Sequence, residues 1–434
     1  MAAQHAPQTA EGAAPAVRGW KATIAVAMSN YIEAGSIIAI STSMIFWQQA
    51  FGFDNAFEGL LAALSANAFG AAIGAIIGGP LSDRFGRKFI YTYDLILYMV
   101  GVLIAAFAVN QWMLLVAFIL TGIAVGAGVP AAWTYIAEEA PSERRAAHVG
   151  MAQLAWSVGP AIGFLLAAFL APAGLVGARI IFLHLFVIAF VTWWVRRGLE
   201  ESKNWTDTKA LRTKQGAKAA AGRGFKALLG RKQNLLAIAF LIGVYAFWNT
   251  VAGQAGMFMP NVYRASGLTD SAQQYFLQAF LWTMTVVGTG VFMWLGDRMS
   301  RRLLFFIGAV LGIAGWVVLV YLPDGPLPLW GFAILWGFAS GIGAQAFYGL
   351  WTAELFATQY RASAQGLLFF AARIMVGVLS FGFPVWLDVL GLPTLGAILI
   401  GILAVSLLVG TIWAPNTQGK TLEQIERERY GADA

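Results

Sequence analysis

The chain has 434 residues, no cysteine, and only 11% charged residues. Without cysteine there is no disulfide, no iron–sulfur cluster and no thiolate zinc site. A soluble domain usually carries about 25% charged residues. Less than half that excludes a disordered chain and almost every soluble enzyme class. Histidine is scarce too: His5, His148 and His184 stand far apart and form no metal constellation. There is no Walker lysine loop, and the Gly-x-Gly patterns follow no strand, so ATP drive has no support. No cofactor, no metal and no enzymatic chemistry are expected.

What is abundant is apolar: 59% of the residues are hydrophobic, and the mean hydropathy is +0.69. Apolar runs lie at roughly 22–47, 58–81, 89–108, 111–137, 147–171, 177–196, 233–262, 272–295, 302–322, 327–354, 363–388 and 391–413. A helix that spans a bilayer needs about 20 apolar residues. The runs predict an all-α membrane protein of twelve transmembrane helices.

The formal charge of +7 is topological rather than a nucleic-acid footprint. Of the 28 Lys and Arg, 25 fall on one side if the N-terminus is cytoplasmic. Arg179 and Arg264 fall on the other side, and Arg373 lies inside a run. Positive residues stay on the cytoplasmic side, so both termini are predicted there, in a cell inner membrane. The polar segment 1–17 reads as a disordered tail rather than a cleaved signal. Residues 18–196 and 233–413 form two six-helix bundles, joined by a basic cytoplasmic linker at 197–232. A cytoplasmic tail follows at 414–434.

The halves repeat. Asp83-Arg84-Phe85-Gly86-Arg87-Lys88 follows the second run, and Asp297-Arg298-Met299-Ser300-Arg301-Arg302 follows the eighth. Glu138 with Arg145, and Glu354 with Arg361, recur at the ends of the fourth and tenth. Two motifs recurring at nearly one offset indicate duplication. Duplicated membrane halves point to a transporter that rocks about a midplane site. Asp83, Arg84, Arg87, Glu138, Arg145, Asp297, Arg301, Glu354 and Arg361 are the candidate cytoplasmic gate. Acids and arginines from neighbouring helices can pair there and must part when the mouth opens.

These residues carry a family resemblance. Gly79-Pro-Leu-Ser-Asp83-Arg84-Phe85-Gly86-Arg87-Lys88 resembles the signature between spans 2 and 3 of the major facilitator superfamily. Tyr135-Ile-Ala-Glu138 through Arg145, and Ala353-Glu354-Leu355-Phe356 through Arg361, resemble sugar-porter loops. Pro415-Asn-Thr-Gln-Gly419-Lys420-Thr421-Leu422-Glu423-Gln-Ile425-Glu426 is similar to the sugar-porter tail. Tyr31-Ile-Glu33-Ala-Gly, with Phe247-Trp248-Asn249, looks most like bacterial members of the minor inositol-transporter type. The resemblance implies the major facilitator fold and proton-coupled import of a polyol or sugar. Phe247-Trp248 replaces the usual Gln-Gln pair of span 7. Gly253 stands at the following Asn and Phe118 at a frequent span 4 Arg. The hexose-binding pattern is therefore not intact, which points away from glucose and xylose.

A charge at mid-helix costs about 2.5–3.5 kcal/mol on insertion scales, so each one needs a reason. Glu33 is the candidate proton carrier. It can load from one side and unload to the other, and it occupies the place of the span 1 acid of proton-coupled sugar porters. Arg373 keeps its proton. It holds Glu33 ionised, binds an anionic substrate directly, or snorkels to satisfy backbone carbonyls. The second option leaves an alternative reading open: a proton-coupled carrier of an organic anion or sugar acid. Asp94 is expected to join the charges around Arg84 and Arg87, off the solute path.

A polyol site needs amides, hydroxyls and indoles around an apolar wall. The candidates are Gln153, Trp156, Trp248, Asn249, Gln254, Gln278, Trp282, Gln345, Tyr348 and Trp351. Gln153 matches a span 5 Gln that contacts sugar in the family. Gln278 and Trp282 share a helix face. Trp112, Trp193 and Trp194 read as interface anchors. The expected partners are a small solute, protons and the bilayer, with the protein a monomer.

Overall fold

The computed structural model describes residues 15–140, 144–197, 206, 228–357 and 361–431, the side chains of 15–22 and 137–139 excepted. Most of the expected tail 1–17 and linker 197–232 lies outside the described residues, as does the Glu138 side chain. Among the described residues there is no strand, and ten helical segments are long and apolar enough to cross a membrane.

The N-terminal half comprises α1 (Pro15–Phe51), α2 (Asn55–Leu64), α3 (Phe69–Phe85), α4 (Arg87–Ala106), α5 (Gln111–Glu139), α6 (Arg145–Leu170) and α7 (Gly174–Arg196). The C-terminal half begins with α8 (Lys232–Leu241). A π-helical turn, Ile242–Ala246, joins it to α9 (Phe247–Met257). Then come α10 (Met259–Ala265), α11 (Ser271–Leu295), α12 (Arg301–Tyr321), α13 (Pro326–Ile342), α14 (Ala344–Leu355), α15 (Arg361–Ile412) and the tail helix α16 (Leu422–Tyr430).

Two segments of 52 residues are too long for one crossing. At ~1.5 Å per residue such a helix runs about 78 Å, against a hydrocarbon core of ~30 Å. Each is broken. Gly174, with φ +54, follows a three-residue 3-10 turn between α6 and α7. Gly391, with φ +74, interrupts α15 two residues before Pro393. Only glycine reaches such a φ without strain. Beyond the break, Gly396 lies against Val320 and Gly410 against Phe305, antiparallel to α12. Before the break, Gly366 lies against Ala75 of α3. The two legs of α15 thus have different partners.

Lipid supplies little hydrophobic drive between helices, so close packing must hold them together. Small residues provide it. A Cβ on Gly74 or Gly126 would overlap the backbone of Ile123 or Ala71, where α3 crosses α5. The C-terminal half repeats the device: a Cβ on Gly337 or Gly341 would overlap Leu281 or Thr285, where α13 crosses α11. Between the halves, α6 packs on α11, and α3 on α15, giving two related seams.

Three spans are broken within their length. α2 and α3 part at Ser65–Ala68, α9 and α10 at Phe258, and α13 and α14 at Gly343. Irregular backbone inside a membrane is tolerated where it lines a cavity or is buried in protein.

Gly126→Leu is expected to lose the α3–α5 crossing and lower the detergent Tm by several degrees or abolish folded yield, since overpacking costs about 1–3 kcal/mol or more. Gly290, whose Cβ would meet nothing within 4 Å, serves as control. Gly290→Ala should match or exceed the wild-type Tm in the same thermal melt.

Candidate solute site and gates

The central cavity lies between the halves and is nearly filled by side chains, leaving about 10 Å³, roughly the room of one water molecule. Its apolar wall includes Ile37, Pro160 and Ala252. Its polar groups are Asn67, Trp156, Asn249, Trp282 and Arg373. The indoles of Trp156 and Trp282 meet nearly edge to face, with centroids 5.1 Å apart, across the α6–α11 seam.

On one side of this cavity stands an ion pair. Nη2 of Arg373 on α15 donates to Oε1 of Glu33 on α1, and both side chains are buried. Arg373 Nη1 donates to the Asn67 carbonyl at 3.0 Å. The break at Ser65–Ala68 frees that carbonyl, so Arg373 satisfies a group that an unbroken helix would have satisfied itself. The guanidinium also lies 4.6 Å over the Phe369 ring. Glu33 neutralises Arg373 inside the protein, where an uncompensated charge would be far more costly.

Several buried polar atoms around the cavity have no partner among the described residues. They are the indole nitrogen of Trp282, Asn249 Nδ2, Asn67 Oδ1 and Arg373 Nε, while the Trp156 indole lies within hydrogen-bonding reach of Glu33. Leaving such a group unpaired costs about 1–3 kcal/mol. A ligand offering both donors and acceptors would recover that.

The other candidates take different places. Gln254 is used in packing: its amide donates to the Val376 carbonyl at 3.2 Å and accepts from Ser380 at 3.1 Å. Trp248 stacks near Tyr245 and Trp336 and lines a separate cavity inside the C-terminal half. Trp351 packs against Phe240, Phe305 and Phe347. Gln278 donates to the Tyr263 hydroxyl at 3.0 Å. Tyr348 stacks on Tyr245 at 3.9 Å, within electrostatic reach of Glu33 and Arg373. Gln153 and Gln345 are buried with unpartnered side-chain oxygens, but they are not on the cavity wall. Sequence reasoning missed Asn67; its signal was Ser65-Ala-Asn-Ala68 inside an apolar run.

The repeated motifs gather at one end and work alike on both seams. Asp83 pairs with Arg87 at 3.4 Å, and Asp297 with Arg301 at 3.7 Å. Each acid also caps a helix of the opposite half. Asp83 accepts from Ser363 N and Oγ at 2.8 and 2.7 Å, at the start of α15. Asp297 accepts from Ala146 N at 3.2 Å, at the start of α6. A carboxylate suits that site because a helix N-terminus carries unpaired N–H groups and partial positive charge. Glu354 ties the halves directly through Arg145 at 3.1 Å, and it also pairs with Arg301 of its own half at 2.7 Å. Arg361 donates to the Phe356 carbonyl, and Arg84 lies over the Phe85 ring. The tail joins this layer, with Arg301 donating to Thr417 and Gln418 to the Asp297 carbonyl. Asp94 departs from expectation. The charge acting most on it is Arg196 of α7, not the Arg84–Arg87 cluster.

The opposite end is closed as well. Asn55 donates to Asp388 at 3.1 Å, Asn261 to Glu58 at 3.4 Å, and the Tyr275 hydroxyl to the Thr42 carbonyl at 3.0 Å. The cavity is therefore sealed by cross-half contacts at both ends.

A sequence profile described as Major Facilitator Superfamily matches residues 22–380. The chain belongs to the major facilitator superfamily. As a member it is a membrane transporter, not an enzyme. The minor myo-inositol transporter IolF of Bacillus subtilis (strain 168) is 41% identical over 415 residues, covering 95% of this chain and 94% of that protein. The proton:xylose symporter XylE bound to 6-bromo-6-deoxy-D-glucose matches with a TM-score of 0.80 at 18% identity, over 95% of this chain and 99% of that one. The inward open conformation of XylE from E. coli matches at 0.69, with 20% identity over 95% and 99%. The superfamily fold is thus present over nearly the whole chain.

Glu354→Gln should loosen the motif-bearing mouth, because losing one partner of a buried pair costs about 3–5 kcal/mol. The cysteine-free chain gives a clean assay. A single cysteine at Ala353, which is 4% exposed, should react with maleimide several-fold faster in the Glu354→Gln background. An unchanged rate would show that Glu354 does not hold the mouth shut.

Proposed function

We propose that this protein imports a small, uncharged, polyhydroxylated solute, inositol-like, together with a proton. The observation that carries the substrate class is the set of unpartnered donors and acceptors around an apolar wall, with Arg373, the one charged residue among the described lining residues, already neutralised by Glu33. A ring of hydroxyls offers donor and acceptor at each position and suits indole, amide and guanidine groups. The 41% identity to a minor myo-inositol transporter supports the same class.

Glu33 is the proton carrier in this reading. Protonation removes the charge that holds Arg373, so the tie between α1 and α15 weakens as the solute is bound. One charge moving inward across 100 mV supplies about 2.3 kcal/mol, enough for roughly 50-fold accumulation of a neutral solute. Gln153, on the motif-bearing side of the cavity-lining α6, and Gln345, at the start of α14, would meet the solute as it leaves. The organic-anion reading needs Arg373 free, and here its Nη2 is occupied by Glu33.

Twelve crossings with both termini in the cytoplasm complete the reading. The ten apolar segments give twelve legs if each 52-residue segment crosses twice. The breaks at Gly174 and Gly391 support this, as does the one-sided distribution of Lys and Arg. The halves would then rock about the central cavity, with the motif end as the cytoplasmic mouth.

The test is uptake of labelled myo-inositol into proteoliposomes of the pure protein under an inward proton gradient. Wild type should accumulate it at least tenfold, and Glu33→Gln should only equilibrate it. Arg373→Lys should impair accumulation and binding of a neutral polyol together. Absence of myo-inositol flux in wild type would overturn the substrate, and gradient-driven accumulation by Glu33→Gln would overturn the carrier.

A further inference from the structure

A second cavity, about 10 Å³ and so water-sized, lies inside the N-terminal half beside α1. Ser29 and Ile32 of α1, Asp94 and Tyr98 of α4, and Gly128 of α5 are on its wall. The chain makes room for a carboxylate here. A Cβ on Gly128 would overlap Asp94 Oδ2. Asp94 Oδ1 accepts from the Leu95 amide at 2.6 Å. No ion pair joins Asp94 to any described residue.

Arg196, 3% exposed, ends α7 beside this cavity. Its Nε donates to the Ala25 carbonyl at 2.9 Å. Its Nη2 donates to the Val26 carbonyl at 2.8 Å and to Ser29 Oγ at 2.9 Å. The guanidinium lies 4.9 Å over the Tyr91 ring, and Nη1 has no partner. Thus a buried arginine grips α1 with two nitrogens and leaves the third unused. A buried carboxylate stands within electrostatic reach but not in contact.

The remaining titratable groups near Asp94 have partners. Tyr98 shares a hydrogen bond with Ser36 at 2.6 Å. Tyr31 of α1 pairs with His184 of α7 at 3.3 Å, and His148 of α6 with Thr23 at 3.2 Å. At the end of α3, Asp83 pairs with Arg87. The α5 wall offers only Ala124, Val125, Gly128 and Val129.

We propose that Asp94 is a second proton-binding group, separate from Glu33, and that it sets the hold of Arg196 on α1. Protonated, Asp94 sits neutral among Ile32, Leu95 and Val125, and Arg196 keeps its grip on Ala25, Val26 and Ser29. Ionised, it attracts Arg196 Nη1, by contact or through a bridging water, and the grip on α1 slackens. The proton comes from water and returns to it, with no other bond made or broken. Asp94 lies about two turns from the motif-bearing end of α4, so it exchanges with the side to which Glu33 unloads. This deepens the proton-coupled reading and rests on it for the direction of transport, but not for the titration itself.

The test is pH-induced infrared difference spectroscopy on the purified full-length protein, followed by transport. A protonated-carboxyl band should be present in wild type and Glu33→Gln and missing in Asp94→Asn. Gly128→Ala, which crowds the carboxylate, should change the pH midpoint of that band. It keeps the proposal open to refutation if Asp94→Asn does not fold. In proteoliposomes, gradient-driven accumulation by Asp94→Asn should fall at least fivefold relative to its own counterflow rate. Identical difference spectra for wild type and Asp94→Asn would overturn the proposal, as would a Gly128→Ala midpoint that does not move. Failure of wild type to accumulate solute on a proton gradient would instead overturn the proton-coupled reading, leaving the spectra to decide on Asp94.

Discussion

Arg373 and Glu33 meet in the middle of a helix bundle, each on a different half of the molecule. Either charge alone at this depth would be strongly destabilising. Together they make a buried pair whose cost is offset by contact and by the Asn67 carbonyl. The rest of the site follows from this pair. α1 must be close to α15, the break at Ser65–Ala68 must turn a carbonyl toward the guanidinium, and the cavity must form beside both. Because Glu33 can take a proton and Arg373 cannot release one, the pair has one reversible way to come apart.

Around it, the closed state is built twice. The two seams use the same chemistry: an acid at the end of one helix pairs with an arginine four residues on and caps a helix of the opposite half. Asp83 does this for α15 and Asp297 for α6. Asp83 and Asp297 are only partly buried, so water can replace these contacts when the seam opens. The glycine-lined crossings within each half are rigid by contrast, because backbone meets backbone there. Rigid halves joined by exchangeable polar ties are what alternating access requires.

Much of this was legible in the sequence. The apolar runs gave the helical class, and the Asp83 and Asp297 motifs marked one end of the bundle. The capping role of those acids was not legible, since it depends on which helix of the other half arrives at the seam. Glu33 and Arg373 stood out as costly charges, but pairing and anion binding remained open until the fold brought α1 to α15. Asn67 was missed because its only signal, Ser65 and Asn67 within an apolar run, does not say that the helix breaks there. Gln254, Trp248 and Trp351 were grouped with the site by proximity in sequence. In the fold these side chains instead serve packing in the C-terminal half. Asp94 was assigned to the nearest arginines in sequence, whereas α7 brings Arg196 to it from about a hundred residues away.

The central claim is that the charge on Glu33 holds the two halves together. Electron–electron distance measurements in lipid nanodiscs test it directly, on a chain with no native cysteine to remove. One label pair would join Ala56 to Ala265 at the end away from the motifs, and another Phe85 to Leu303 at the motif end; all four positions are exposed. With Glu33→Gln, the distribution at one end should broaden toward distances several ångströms longer, while wild type stays narrow at both. Identical narrow distributions in wild type and Glu33→Gln would contradict the account.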